Sequence, residues 1–246
     1  MNPNMKIILV LILLAGIWAN VNAQKKTVLV DVGHGQKFYS DPADNISTQL
    51  VPAERLTYMT GELSKNAATS NATIAFQKSA ITSEVLAKVK VLFIHVPSAK
   101  YTAEEVTAIQ QFVAKGGSLF LVSEVDYWAT LDQTNVNDIL KPFGITFKGD
   151  HPDGAATGGH AETTAVTAEK YKIPYHGARL VDGGTPFAYS DKDNQNPFGV
   201  YKEVKGGGKI VAMGEGMVSL YMTSWQGVTD FQCSGFMGAV FAWLLK

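Results

Sequence analysis

Apolar and polar positions change in blocks along the first half of the chain. Four short runs, "TVLVDV" (27–32), "ATIAFQK" (72–78), "VLFIHV" (91–96) and "SLFLVSE" (118–124), are rich in β-branched and aromatic residues and have the length of buried strands. Between them the apolar residues recur at helical spacing. In 51–67 Leu56, Met59 and Leu63 share a face, with Pro52 near the start. A short helix is expected over 82–89, with Thr82 or Ser83 as its cap. The clearest helix is 102–117. Thr102 caps it, Glu105 follows three residues later as in a capping box, Val106, Ile109, Phe112 and Val113 form one face, and Gly116–Gly117 ends it. Residues 135–144 form another helix, stopped by Pro142 and Gly144, and "ITFKG" follows.

Strands alternating with helices specify βαβ units. The expected fold class is α/β, a three-layer sandwich with a mostly parallel sheet covered on both faces. Beyond residue 149 the periodicity fades. Residues 149–166 are Gly-rich and polar and read as a long surface loop. The stretch 199–216 reads as a hairpin turning at "GGG", and 227–246 as an apolar closing helix that packs Phe231, Phe236, Val240, Trp243 and Leu244 on the sheet. With no internal repeat and no linker-like stretch, residues 24–246 form one domain.

Residues 1–23 have a different character. Lys6 precedes the run "IILVLILLAGIWA", and Val21 and Ala23 occupy the small-residue positions of a cleavage site. The run is shorter than the ~20 residues a spanning helix needs. The expectation is a signal peptide at 1–23, an exported mature chain in the periplasm or outside the cell, and no membrane span after cleavage. Cys233 is the only cysteine, so an internal disulfide and a Cys-pair zinc site are excluded, and its apolar neighbours suggest a buried, inert thiol. A net charge of −1 with scattered basic residues argues against a nucleic-acid partner.

The stretch "VKVLFIHVPSAKYTAEEVTAIQQFVAKGGSLFLVSEVD" resembles the strand–helix–strand core of the class I glutamine amidotransferase-like superfamily, which has a flavodoxin-like architecture. More narrowly it resembles the DUF4350 group and its ThuA-like relatives, as do "VLVDVGHGQ" and "GKIVAMGEGM". The superfamily's enzymes carry a nucleophile elbow of the G-x-C-x-G kind. The matching strand end here, "LFLVSEVDY", offers Ser123 and Glu124 and lacks the Cys and both glycines. The resemblance therefore implies the scaffold without the amidotransferase centre.

In open α/β sheets ligands bind beyond the carboxyl ends of the strands. "DVGHGQ", "HVPSAK", "SEVDYW" and "GEGM" end strands, so Asp31, His34, Gln36, His95, Ser98, Glu124, Asp126 and Glu215 are expected on one rim. "GHGQK" lacks the third glycine and the helix start of a dinucleotide loop, and "KGGGK" precedes a strand, which argues against a nucleotide. Asp31 with His34, and His160 with Glu162, are the pairs closest to metal ligands, but neither H-x-x-x-H nor H-E-x-x-H is present. No metal or cofactor is expected. His34 is read as bonding a loop carbonyl, Asp31 as capping backbone amides, and His95 as a satisfied core histidine. Phe38, Tyr39, Tyr127, Trp128, Tyr221 and Trp225 fall in or beside loops, where they stack on a sugar or act as lid packing.

The leading reading is an exported binding or accessory domain for a carbohydrate, without amidotransferase chemistry. Its ligand-binding residues would be Asp31, His34, Gln36, Glu124, His160 and Glu215. One alternative is a saccharide hydrolase using Asp31, Glu124 or Glu215 as acid or base with His34 or His160 assisting. The other is an envelope protein that binds a partner through the 149–164 loop.

Overall fold

The computed structural model describes residues 25–44, 52–151, 158–177, 179–222 and 228–246. The segment read as a signal peptide, most of the tip of the 149–166 loop and Trp225 lie outside these residues. A nine-stranded sheet forms the frame. Its first half contains β1 (Lys26–Asp31), β2 (Ala72–Gln77), β3 (Val91–His95) and β4 (Ser118–Val122). Its second half contains β6 (Gly159–Ala161), β7 (Tyr171–Ile173), β9 (Thr185–Ser190), β10 (Pro197–Glu203) and β11 (Lys209–Met213). The order is β2-β1-β3-β4-β11-β10-β9-β6-β7. A separate ribbon pairs β5 (Thr146–Asp150) with β8 (Arg179–Asp182).

From β2 to β11 every pairing is parallel. From β11 to β7 every pairing is antiparallel. The sheet is therefore mixed, and the expected mostly parallel sheet holds only for its first five strands. The antiparallel wing escaped the sequence pattern because β6 and β7 are three residues long and lie in the Gly- and Thr-rich stretch read as loop.

Among the described residues seven α-helices accompany these strands: α1 (Ala53–Ala68), α2 (Ser83–Leu86), α3 (Ala103–Ala114), α4 (Leu131–Thr134), α5 (Val136–Leu140), α6 (Met217–Tyr221) and α7 (Cys233–Leu244). Strand alternation sorts the core into two clusters. Val28, Val30, Phe93, Phe120, Val122 and Val211 face α1 and α7, where Leu56, Met59, Leu63, Phe236 and Phe241 meet them. Leu29, Leu92, Ile94, Leu119, Leu121 and Ile210 face α2, α3 and α5, where Leu86, Ile109, Val113 and Ile139 meet them. Each such side chain contributes about 1.5–3 kcal/mol by leaving water. In the antiparallel wing α7 packs against β7, and the β5–β8 ribbon lies against β10 and β11.

The capping box of α3 is present. Thr102 Oγ1 accepts from Glu105 N, and Glu105 Oε2 accepts from Thr102 N at 2.9 Å. Pro142 ends α5 through a 3-10 turn, and Gly144 adopts the left-handed conformation expected of it. The closing helix starts at Cys233, six residues later than its apolar pattern suggested.

Candidate functional site

The strand ends do place the expected residues on one rim, but the sheet divides them. Asp31 follows Leu29 in alternation and points to the α2/α3 face. Glu124 and Glu215 follow Val122 and Met213 in alternation and point to the α1/α7 face. Two polar clusters result, one on each face of the sheet.

The first cluster is centred on His34. Its Nδ1 lies 3.0 Å from Asp31 Oδ2, and its Nε2 lies 3.2 Å from Glu105 Oε1. Tyr101 stacks on the imidazole with ring centroids 4.0 Å apart and donates its hydroxyl to Asp31 Oδ2 at 2.6 Å. Gly33 N donates to Asp31 Oδ1, and Ile81 N donates to Glu105 Oε1. Burial alone would lower the His34 pKa, but the hydrogen bonds and charges of Asp31 and Glu105 outweigh it and raise the value. His34 is thus clamped between two carboxylates that favour its charged form. It ties the 33–40 loop to the start of α3. Both ring nitrogens are occupied, which leaves none for a proton transfer. Asp31 caps a backbone amide as expected, whereas His34 bonds carboxylates in place of the expected loop carbonyl. Gln36 is buried, and among the described residues neither polar atom of its side chain has a partner.

The second cluster holds Glu124 and Glu215, which are 2% and 1% exposed. Glu124 Oε2 accepts from Gly216 N at 2.6 Å and Oε1 from Val125 N at 3.0 Å. Glu215 accepts from His176 N at 2.6 Å and Met217 N at 2.9 Å. Burial, and then the nearby Glu215, hold the Glu124 carboxyl well above the usual range despite its two amide donors and Arg179. A neutral acid beside a second carboxylate is the electronic arrangement of an acid/base pair. Here the oxygens are spent on backbone amides and closed off from solvent.

His95 sits beside them, with Nε2 2.8 Å from Ser219 Oγ and, among the described residues, Nδ1 without a hydrogen-bond partner. Phe38, Tyr39 and Phe93 pack edge-on around its ring, and burial pushes its pKa down to about 3. It is a neutral core histidine, satisfied on one side only. Ser219 is buried with it.

His160 lies elsewhere. It sits on β6 in the antiparallel wing, bonded to Asp191 at 2.8 Å and close to Glu162 at 3.1 Å. It does not join either cluster. Phe38 and Tyr39 are buried core residues and not rim stackers, whereas Tyr127 is 81% exposed beside Trp128. Cys233 is buried as expected, and burial pushes its thiol pKa up. Among the described residues no group of three His, Cys, Asp or Glu side chains is placed to hold a metal ion.

Sequence reasoning missed Arg179, which is fully buried. Its Nε donates to Glu124 O at 2.6 Å and its Nη2 to Ala129 O at 3.1 Å. Its Nη1 donates to Lys148 O at 3.3 Å, and the guanidinium pairs with Asp126 and Asp150. Its backbone lies so close to Gly214 that a methyl there would sit 1.9 Å from Arg179 O. One arginine therefore fastens the loop after β4 to the β5–β8 ribbon. Its signal was rarity, since Arg55 is the only other arginine in the chain. Glu105 was read only as a helix cap, although its second oxygen reaches His34.

The family model that matches this chain is that of the IFT52 GIFT domain, over residues 55–153. Among solved structures, the mmIFT52 N-terminal domain superposes with a TM-score of 0.65 at 20% identity, covering 89% of this chain and 97% of that one. A putative ThuA-like protein from Bacteroides uniformis gives a TM-score of 0.56 at 11% identity, covering 91% and 93%. The exo-beta-1,4-mannosidase Op5Man5 from Opitutaceae bacterium strain TAV5 gives 0.52 at 14% identity, covering 87% of this chain but 35% of the enzyme. No curated protein sequence matches significantly.

These likenesses show a shared fold. They overturn the DUF4350 and ThuA-like assignment, because the matching family model and the mmIFT52 superposition both point to the GIFT domain. The reading of an exported, periplasmic or extracellular carbohydrate-binding domain, with its hydrolase alternative, falls with that assignment. Among the described residues no helix is long and apolar enough to cross a membrane.

Proposed function

We propose that this chain is a docking module for other proteins, a GIFT-type α/β platform that takes its place in a multi-protein assembly. The observation that carries the reading is the match to the IFT52 GIFT domain and to the fold of the mmIFT52 N-terminal domain, with no ligand-binding chemistry left free on the rim among the described residues. The rim chemistry supports it. Asp31, Glu124 and Glu215 are each buried and committed to internal donors, so they serve the platform and not a ligand. On this reading residues 24–246 act as one unit. Arg179 and the His34 clasp hold the loops around the rim rigid, which lowers the entropy cost of association.

The test is the mass of the protein in its native setting. The full chain, tagged and purified from its source at low salt, is analysed by size exclusion with light scattering. The expected result is a complex heavier than the 26.5 kDa chain, containing a second polypeptide in fixed stoichiometry. A lone monomer in all conditions, together with a turnover abolished by Glu124→Gln, contradicts the proposal.

A further inference from the structure

The basic residues looked scattered along the sequence, but the parallel half of the sheet gathers several of them. Parallel strands all begin at one pole. Lys26 opens β1, Lys90 precedes β3, Lys115 precedes β4 and Lys209 opens β11. The ladder sets Lys90 and Lys209 on either side of the start of β4, because Lys90 N donates to Thr27 O, Ser118 N to Lys90 O and Lys209 N to Gly117 O, and Lys115 lies beside Lys90 on the rim of one hollow. Lys25 and Lys88 join them around a hollow of about 460 Å³ that Lys26 and Lys90 also line.

Three of these lysines have structural work. Lys90 Nζ donates to Gly116 O at 2.7 Å, Lys209 Nζ to Trp243 O at 2.8 Å, and Lys26 Nζ to Leu245 O. They cap the carboxyl ends of α3 and α7, where cations are favoured. Lys25, Lys88 and Lys115 are exposed and project from the same pole. Burial and the neighbouring positive charges, Lys26 beside Lys90 and Lys90 beside Lys209, lower the pKa of the two inner lysines, as expected where cations crowd.

A groove leads away from this pole. Lys90 and Lys115 flank a depression of about 330 Å³ between α2 and α3, and Leu86, Val89, Ala108 and Phe112 contribute its apolar lining. The groove continues past Ser83 and Gln111 into a second hollow of about 330 Å³ that ends at Glu104, near the start of α3. It is therefore cationic at one end, apolar in the middle and acidic at the other. Every cation at the basic end is a lysine, so the forked pairing with phosphate that arginine supplies is missing. A phosphate backbone or a lipid headgroup layer would leave the apolar middle unused. An extended peptide fits all three parts, with carboxylates at the lysine pole and apolar side chains along the groove.

We infer that the α2–α3 groove and the adjoining lysine pole form a docking site for an acidic–apolar segment of a partner protein, its carboxylates held by Lys25, Lys88 and Lys115. The docking proposal above decides only that the occupant is a protein. The orientation follows from the charge: the acidic end of the segment lies toward Lys115, away from Glu104.

The test uses the full chain and a labelled synthetic peptide with a run of glutamates followed by alternating leucines, titrated by fluorescence anisotropy. Binding should weaken at least about tenfold between 50 and 300 mM salt, as screening shortens the reach of exposed charges. The double variant Lys88→Glu/Lys115→Glu should weaken it by a similar factor while its melting curve stays that of wild type. A peptide with the glutamates moved to the other end of the leucines should bind several-fold less tightly, as should one with the leucines replaced by serine. Loss of binding in Lys88→Ala/Lys115→Ala alone, with Lys141→Ala and Lys192→Ala unaffected, confirms the location. The inference is overturned if the peptide does not bind, if the charge reversal leaves its affinity unchanged, or if vesicles containing phosphatidylserine or a DNA duplex bind more tightly at equal salt. A stoichiometric native complex that persists in the charge-reversed variant would overturn this site and leave the docking-module reading standing.

Discussion

Replacing Arg179 with methionine keeps much of the side-chain volume and removes a guanidinium that is wholly buried. Three carbonyl oxygens, of Glu124, Ala129 and Lys148, lose their donor, and Asp126 and Asp150 lose their counter-charge. Those two carboxylates are 55% and 39% exposed, so water takes up much of their charge and the ionic loss is small. The carbonyls are the larger part, at about 1 kcal/mol or more for each acceptor left without a partner. The expected cost is about 3–4 kcal/mol, at the lower end of the range for breaking a buried ion pair. In a domain of this size that lowers the melting temperature by roughly 6–16 °C. Urea and thermal denaturation measure it. Arg179→Lys should recover less than half, because one ammonium cannot reach acceptors on three separate segments. An Arg179→Met protein within about 1 kcal/mol of wild type would refute the role assigned to this residue.

Further predictions follow from the two polar clusters and from the glycines. The folded His34 pKa is raised above its ordinary 6.5, so the clasp contributes fully below that value and fades as pH rises through the folded value; His34→Gln should therefore cost more near pH 5 than near pH 9 in urea midpoints, and an equal cost at both contradicts the charged clasp. Glu124 is also raised, above its ordinary 4.5, so its contribution is complete in acid and lost as pH rises through the folded value; Glu124→Gln should cost more stability near pH 5 than near pH 8, and a gap that widens with pH counts against it. Gly214→Ala should destabilise by about 3 kcal/mol or more because its methyl meets Arg179 O. Gly61→Ala on α1, with nothing within 4 Å of the new methyl, should instead stabilise by about 0.5–1 kcal/mol, and melting temperatures that fail to diverge in these directions would contradict the packing described.

The parallel half of the fold was legible because its strands are continuous apolar runs and its helices carry their own punctuation. Thr102 and Glu105 mark the start of α3, and Gly116–Gly117 marks its end. The antiparallel wing was not legible. A three-residue strand such as Gly159–Ala161 is too short to show alternation; of its two partners β7 is equally short, and β9 lies about thirty residues further on. The rim itself was read correctly as a set of strand ends. What the sequence could not show was the parity of each residue along its strand relative to its neighbours. That parity sends Asp31 to one face of the sheet and Glu124 and Glu215 to the other, and it separates residues that topology alone had joined. Long-range polar partners were equally hidden. Nothing local ties His34 to Glu105 or Arg179 to the loop after β4. The lysine pole was overlooked for the same reason, since register across parallel strands gathers charges that are far apart in sequence.

The central claim is that the surface of this platform, and not its buried rim, is where binding occurs. Hydrogen–deuterium exchange on the full chain, alone and within its native complex, tests this most directly. The account predicts added protection in peptides covering 83–90 and 108–117, with the strand ends at 31–36 and 124–126 unchanged. Protection confined to those strand ends, produced by a small molecule with no second protein present, would contradict it.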